Sequence, residues 1–87
     1  MEKLEATFQA RWDSLSDLER KYVIAVANGG DGRASSADVH AALGRSAQQL
    51  STTRHALIGD HGLLRSVGRG EMVVTLPRFA QWVAKLT

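Results

Sequence analysis

The chain has 87 residues, no cysteine and a formal net charge of +2. That length favours one domain, and the missing thiols exclude disulfides, thiolate metal sites and cysteine nucleophiles. The apolar share of 44% belongs to a folded chain rather than a disordered one.

Residues 2–13 carry Leu4, Phe8 and Trp12 at four-residue steps, the face of an amphipathic helix. Ser14-Leu15-Ser16 interrupts it. Ser16-Asp17-Leu18-Glu19 has the capping-box pattern and predicts a second helix to about Ala27, with Leu18, Tyr22, Ala25 and Val26 inward. The glycine-rich run Asn28–Gly32 ends that helix. Arg33-Ala34 is expected as a very short strand. Ser35-Ser36 then caps a helix over about 36–43, with Val39, Ala42 and Leu43 inward.

Gly44-Arg45 makes a turn, and Ser46-Ala47-Gln48-Gln49 is a second capping box, opening a helix over 46–60 that Gly62 closes. Leu63–Val67 and Met72–Leu76 read as strands; Met72, Val74 and Leu76 alternate onto one face. Gly68-Arg69-Gly70 joins them as a hairpin. Pro77 suits the first turn of a last helix that places Phe79, Trp82, Val83 and Leu86 on one side.

The predicted fold is mainly α with a small β-hairpin: a winged helix-turn-helix with additional N- and C-terminal helices. It forms one domain over 1–87, with a packing helix at 1–14, a winged core at 15–76 and a closing helix at 77–87. The terminal helices are expected to pack through Leu4, Phe8 and Trp12 against Phe79, Trp82 and Leu86.

The helix-pair-and-wing order suits double-stranded DNA, with helix 46–60 in the major groove and the hairpin beside it. Charge distribution agrees in sign. Residues 1–30 hold five acidic side chains against four basic ones, whereas residues 31–87 hold seven basic against four acidic. With Leu50 at zero on a helical wheel, Leu57 and Ile58 fall at about −20° and +80° and mark the inward side. Gln48, Thr52 and His55 lie roughly opposite, with Ser51 on the flank.

These polar side chains are candidate base readers. Arg45 and Ser46 stand at the helix start, where a phosphate is favoured. In the wing, Arg69 lies between two glycines and Arg65 on the adjoining strand, both candidates for a phosphate or a narrow minor groove. Arg54 falls at about +40°, on the inward side, and is expected to lay its stem on the core and pair with Asp38 or Asp60.

Leu50-Ser51-Thr52-Thr53-Arg54-His55-Ala56-Leu57-Ile58, the Gly62-Leu63 step and the run Arg69-Gly70-Glu71-Met72-Val73-Val74-Thr75-Leu76-Pro77-Arg78-Phe79 form an ordered set. It resembles the C-terminal winged-helix domain of bacterial and archaeal AAA-type ATPases. Those domains carry a leucine-serine and an arginine before a leucine-isoleucine, a glycine-leucine step, an arginine-glycine wing and a leucine-proline-x-phenylalanine exit. The resemblance covers about residues 15–83. It implies a cytosolic ATP-hydrolysing parent bearing this domain at its end, and also a rival role, docking on that parent without touching DNA. A start at an amphipathic helix and an end at Leu86-Thr87 fit an excised domain or a complete small regulator, and a regulator of this class is expected to dimerise on two half-sites.

No Gly-x-x-x-x-Gly-Lys-Ser/Thr phosphate loop is present, so the chain itself is not expected to bind ATP. Gly-x-Ser-x-Gly is absent too. His40, His55 and His61 are not at metal-ligand spacing. A non-enzyme without cofactor or metal is therefore expected. Its partners are DNA and, alternatively, a parent ATPase or a second copy held through the terminal helices. No apolar run approaches the roughly 20 residues needed to span a bilayer, and Met1-Glu2-Lys3-Leu4-Glu5 lacks a signal-peptide core. A soluble, cytoplasmic chain without membrane contact is the expectation.

Overall fold

Serine caps set where three of the helices begin. Ser16 accepts from the Glu19 N–H at 3.2 Å while the Glu19 carboxylate accepts from the Ser16 N–H at 2.8 Å. Ser46 and Gln49 form the same reciprocal pair, and Ser35 accepts from the Asp38 N–H at 3.1 Å. Each cap meets donors that a helix start would otherwise leave open.

In the computed structural model the order is α1 (Glu2–Asp13), α2 (Asp17–Ala27), β1 (Arg33–Ser35), α3 (Ser36–Leu43), α4 (Ala47–His55), β2 (Leu64–Val67), β3 (Glu71–Val74) and α5 (Phe79–Leu86). The structure describes residues 2–86 other than Gly30, Asp31, Arg69 and Pro77, with side chains from Thr7 onward. The chain is mainly helical with a small three-stranded antiparallel sheet.

The helix expected to run to Asp60 changes character after His55. Ala56–Asp60 is a wider, π-helical turn, in which the His61 N–H reaches back five residues to the Ala56 carbonyl at 2.9 Å. Gly62 then adopts a left-handed φ of 63°, and the Leu63 N–H bonds the Leu57 carbonyl. The wide turn leaves Leu57 fully buried and returns Leu63 to the core beside it.

The sheet order is β1-β3-β2. Leu64 opposes Val74 and Val67 opposes Glu71 in the hairpin, while Arg33 opposes Val73 on the other side of β3. The hairpin therefore does not stand apart as a finger: β3 is the central strand. Its corner is also tied down, because the Gly70 carbonyl accepts from the Ser36 N–H at the start of α3.

Helix α2 is the hub, packed on by α3, α4, α5 and the sheet. It buries a wider arc than the expected stripe, adding Val23 and Ala27 to Tyr22 and Val26, with Leu18 and Ala25 half-buried. Val39, Leu50, Leu57, Leu63, Leu64 and Met72 complete the centre. Ala42, expected inward, is exposed, because α3 meets the core chiefly through Val39.

The terminal helices pack through aromatic rings. Phe8 meets Phe79 edge-on at 5.2 Å and Trp12 meets Trp82 at 6.2 Å, while Phe79 stacks on Trp82 at 5.8 Å. Leu86 does not join them and is 49% exposed. The side chain of Leu4 lies outside the described residues.

Candidate functional site

The outer side of α4 is open. Gln48, Ser51, Thr52 and His55 are exposed, and so are Arg45 and Ser46 at its start. The inner side is closed by Leu50 and Thr53. Gly44 ends α3 with a φ of 65°, and only Arg45 separates it from the Ser46 cap, so α3 and α4 meet at a tight turn.

Gln48, Ser51 and Arg54 follow one another at three-residue steps, forming one ridge along α4. Across from them Ser36 and His40, four apart on α3, form a second ridge. A groove of about 350 Å³ runs between the two, with Tyr22 of α2 behind it. The structure thus joins two predicted site residues, Gln48 and Ser51, to four that the sequence placed elsewhere. The sequence predicts Ser36 as a cap, Tyr22 as core and Arg54 as half of an ion pair, and gives His40 no role in metal binding.

Arg54 pairs with neither Asp38 nor Asp60. Asp38 lines a different groove, the one formed with Lys21, Asn28 and Arg33 between α2, α3 and β1. Asp60 sits exposed at the end of the π-helical turn. The Arg54 Nε is buried and has no hydrogen-bond partner among the described residues. Leaving such a donor unmet costs about 1–3 kcal/mol, and more when the group is charged.

No carboxylate lines the groove among the described residues. Tyr22 is fully buried, and its hydroxyl donates to the Met72 sulfur at 3.3 Å. Burial pushes the Tyr22 phenol above its ordinary value, and the positive charge of Arg54 opposes that shift.

The hairpin residues stand apart from Gln48 and Ser51. Arg65 is exposed on β2, opposite Val73, and β2 packs on the π-helical turn at the far end of the same helix. Arg69 lies outside the described residues. Its glycine neighbours are left-handed, Gly68 at φ 65° and Gly70 at φ 67°. Among the described residues neither Arg45 nor Arg65 has a carboxylate within ion-pair distance.

The π-helical turn is pinned at its end. His61 lies 3.4 Å from Glu19, and the Arg11 guanidinium donates to the His61 carbonyl. Glu19 is held below its ordinary value, first by the Ser16 backbone N–H; burial raises it in opposition, and His61 lowers it further. Among the described residues no three His, Asp or Glu side chains gather as metal ligands, and no helix is long and apolar enough to cross a membrane.

No curated protein and no solved structure matches the chain. A family model described as a domain of unknown function, DUF8462, matches residues 5–83. With nearly its whole length covered, from the first aromatic helix to the last, the chain belongs to the DUF8462 family.

Proposed function

We propose that the chain is a non-catalytic, cytoplasmic DNA-binding module of the winged helix-turn-helix kind. In this reading α4 enters the major groove of a duplex and presents Gln48, Ser51, Thr52 and His55 to base edges. Arg45 and the capped start of α4 take a phosphate, while Arg65 and Arg69 serve from the hairpin. One observation carries the reading: the polar side of α4 is uncovered along its length, with an arginine at its amino end that no carboxylate pairs among the described residues. The parent protein, in the same proposal, is an AAA-type ATPase bearing this domain at its end; support comes from the ordered residues between Leu50 and Phe79.

A second reading has one observation in its favour. The groove between α2, α3 and β1 is lined by the half-buried Ile24, Ala25, Ala34 and Leu43 over a volume of about 510 Å³. Such a face suits docking on the parent ATPase or on a second copy. The aromatic side chains of the terminal helices serve that reading less well, because they face one another.

The deciding experiment is duplex affinity against salt concentration. Each neutralised phosphate contributes about −0.9 to the log–log slope. Arg45→Ala is expected to reduce that slope by about one phosphate, and Gln48→Ala to relax base preference without weakening all sequences equally. A duplex affinity that does not respond to salt removes the DNA reading. A concentration-dependent sedimentation coefficient in its place supports self-docking.

A further inference from the structure

We infer that the groove between α3 and α4 is an oxyanion site, in which Arg54, Ser36 and His40 hold one phosphate-class anion and Gln48 and Ser51 form the rim. The anion is either free or part of a DNA backbone. The DNA-borne source rests on the reading above; the free source does not.

Four observations point the same way. Arg54 brings a permanent positive charge, and its buried Nε has no partner among the described residues. Among the described residues no carboxylate lines the groove to neutralise it. The other polar side chains there are hydroxyls, an amide and an imidazole, all of which can donate to an anion. Finally, α3 and α4 both begin at the groove, at Ser36 and Ala47, so two positive helix ends border it.

The chemistry selects the ligand class. A guanidinium presents a planar fork of donors, which matches two oxygens of a phosphate or sulfate. A cation is refused by the same charge. An apolar ligand would leave Arg54 and its polar neighbours unmet. Ser36 adds a link to the hairpin, because its backbone N–H already holds the Gly70 carbonyl. An anion bound at Ser36 and Arg54 therefore stiffens the contact between the wing corner and the helix pair.

The test follows the Arg54 Nε–H and His40 ring signals by NMR on the whole labelled chain. Inorganic phosphate is added at constant ionic strength, balanced with sodium chloride. A saturable shift of both signals, weakened about tenfold or more by Arg54→Gln, supports the site with a free oxyanion as ligand. His40→Ala, a change outside the core, is expected to weaken binding too and serves if Arg54→Gln fails to fold. Phosphate binding undiminished in the folded variants overturns the inference.

A second arm adds a short duplex. If free phosphate has no saturable effect but the duplex moves the Arg54 signal, and a duplex with neutral methylphosphonate linkages does not, the site stands with a backbone phosphate as its ligand. If the duplex shifts only Gln48, Thr52 and His55, and phosphate is without effect, the inference falls while DNA binding survives. If phosphate saturates the site and no duplex binds, the site stands and the DNA reading falls. No response to either overturns both.

Discussion

Ser46 allows folding and binding to be separated at a single position. Its hydroxyl accepts from the Gln49 N–H at 3.2 Å, and the Gln49 side chain accepts from its N–H at 2.9 Å. Helix α4 has only nine residues and no acidic residue in its first turn, so this box is its main local support. Ser46→Ala is expected to cost about 1 kcal/mol, a fall in Tm of about 4–8 °C for a domain of this size. Ser46→Asp restores an acceptor, since aspartate caps about as well as serine. It also sets a negative charge at the positive helix end, a gain of about 0.3–1 kcal/mol. That variant is expected to melt at or above the wild-type temperature.

The same carboxylate repels an incoming phosphate. Two like charges about 4 Å apart repel by about 1 kcal/mol in water, roughly a fivefold loss of affinity. Thermal unfolding by circular dichroism and duplex binding by fluorescence anisotropy at low salt give the two orders. Stability should run Asp, Ser, Ala from high to low, and affinity should be lowest for Asp. A well-folded S46D that binds duplex like the wild type would refute the placement of a phosphate at the amino end of α4. An S46D that melts below S46A would refute the capping argument.

Three further outcomes are expected. Glu19 binds protons less readily in the fold than in the unfolded chain, where its value is near 4.5; its stabilisation is therefore present above that value and lost as pH falls through the lower, folded one. Glu19→Gln should flatten this acid limb in urea unfolding curves, and an unchanged limb would count against the pin to Ser16 and His61. Gly29→Ala sets a Cβ against the Arg33 carbonyl oxygen and the Ala34 side chain, so the backbone leading into β1 must shift at about 1–3 kcal/mol. Amide exchange in Arg33–Ser35 should quicken with it. Tyr22→Phe removes a hydroxyl whose acceptor is a weak one, the Met72 sulfur, and should cost less than about 1 kcal/mol, against about 3–5 kcal/mol for Tyr22→Ala. Because burial raises the Tyr22 phenol above 10.0, the unfolded chain ionises first and wild-type stability falls as pH rises past that value. Tyr22→Phe should lack that alkaline loss.

The elements that were legible in the sequence are those decided within four residues. Both capping boxes, at Ser16 and Ser46, form as their spacing implies, because donor and acceptor belong to the same turn. Gly44, Gly62, Gly68 and Gly70 all take the left-handed conformation that their neighbours require. The aromatic steps in α1 and α5 meet because each helix has one apolar side to bury. Helical angles alone placed Gln48, Thr52 and His55 outward, where they are exposed.

What tertiary structure decided depends on partners brought from far along the chain. Periodicity put Arg54 on the inward side, but its partner depends on how α3 crosses α4 and where the π-helical turn carries Asp60. The expected acids ended on other surfaces, and the guanidinium came to lie beside Ser36, His40 and Tyr22. The same holds for β3, whose alternation marked it as a strand but could not mark it as central. Local propensity acts over a single turn, whereas the cost of a buried charge is set by every element packed around it.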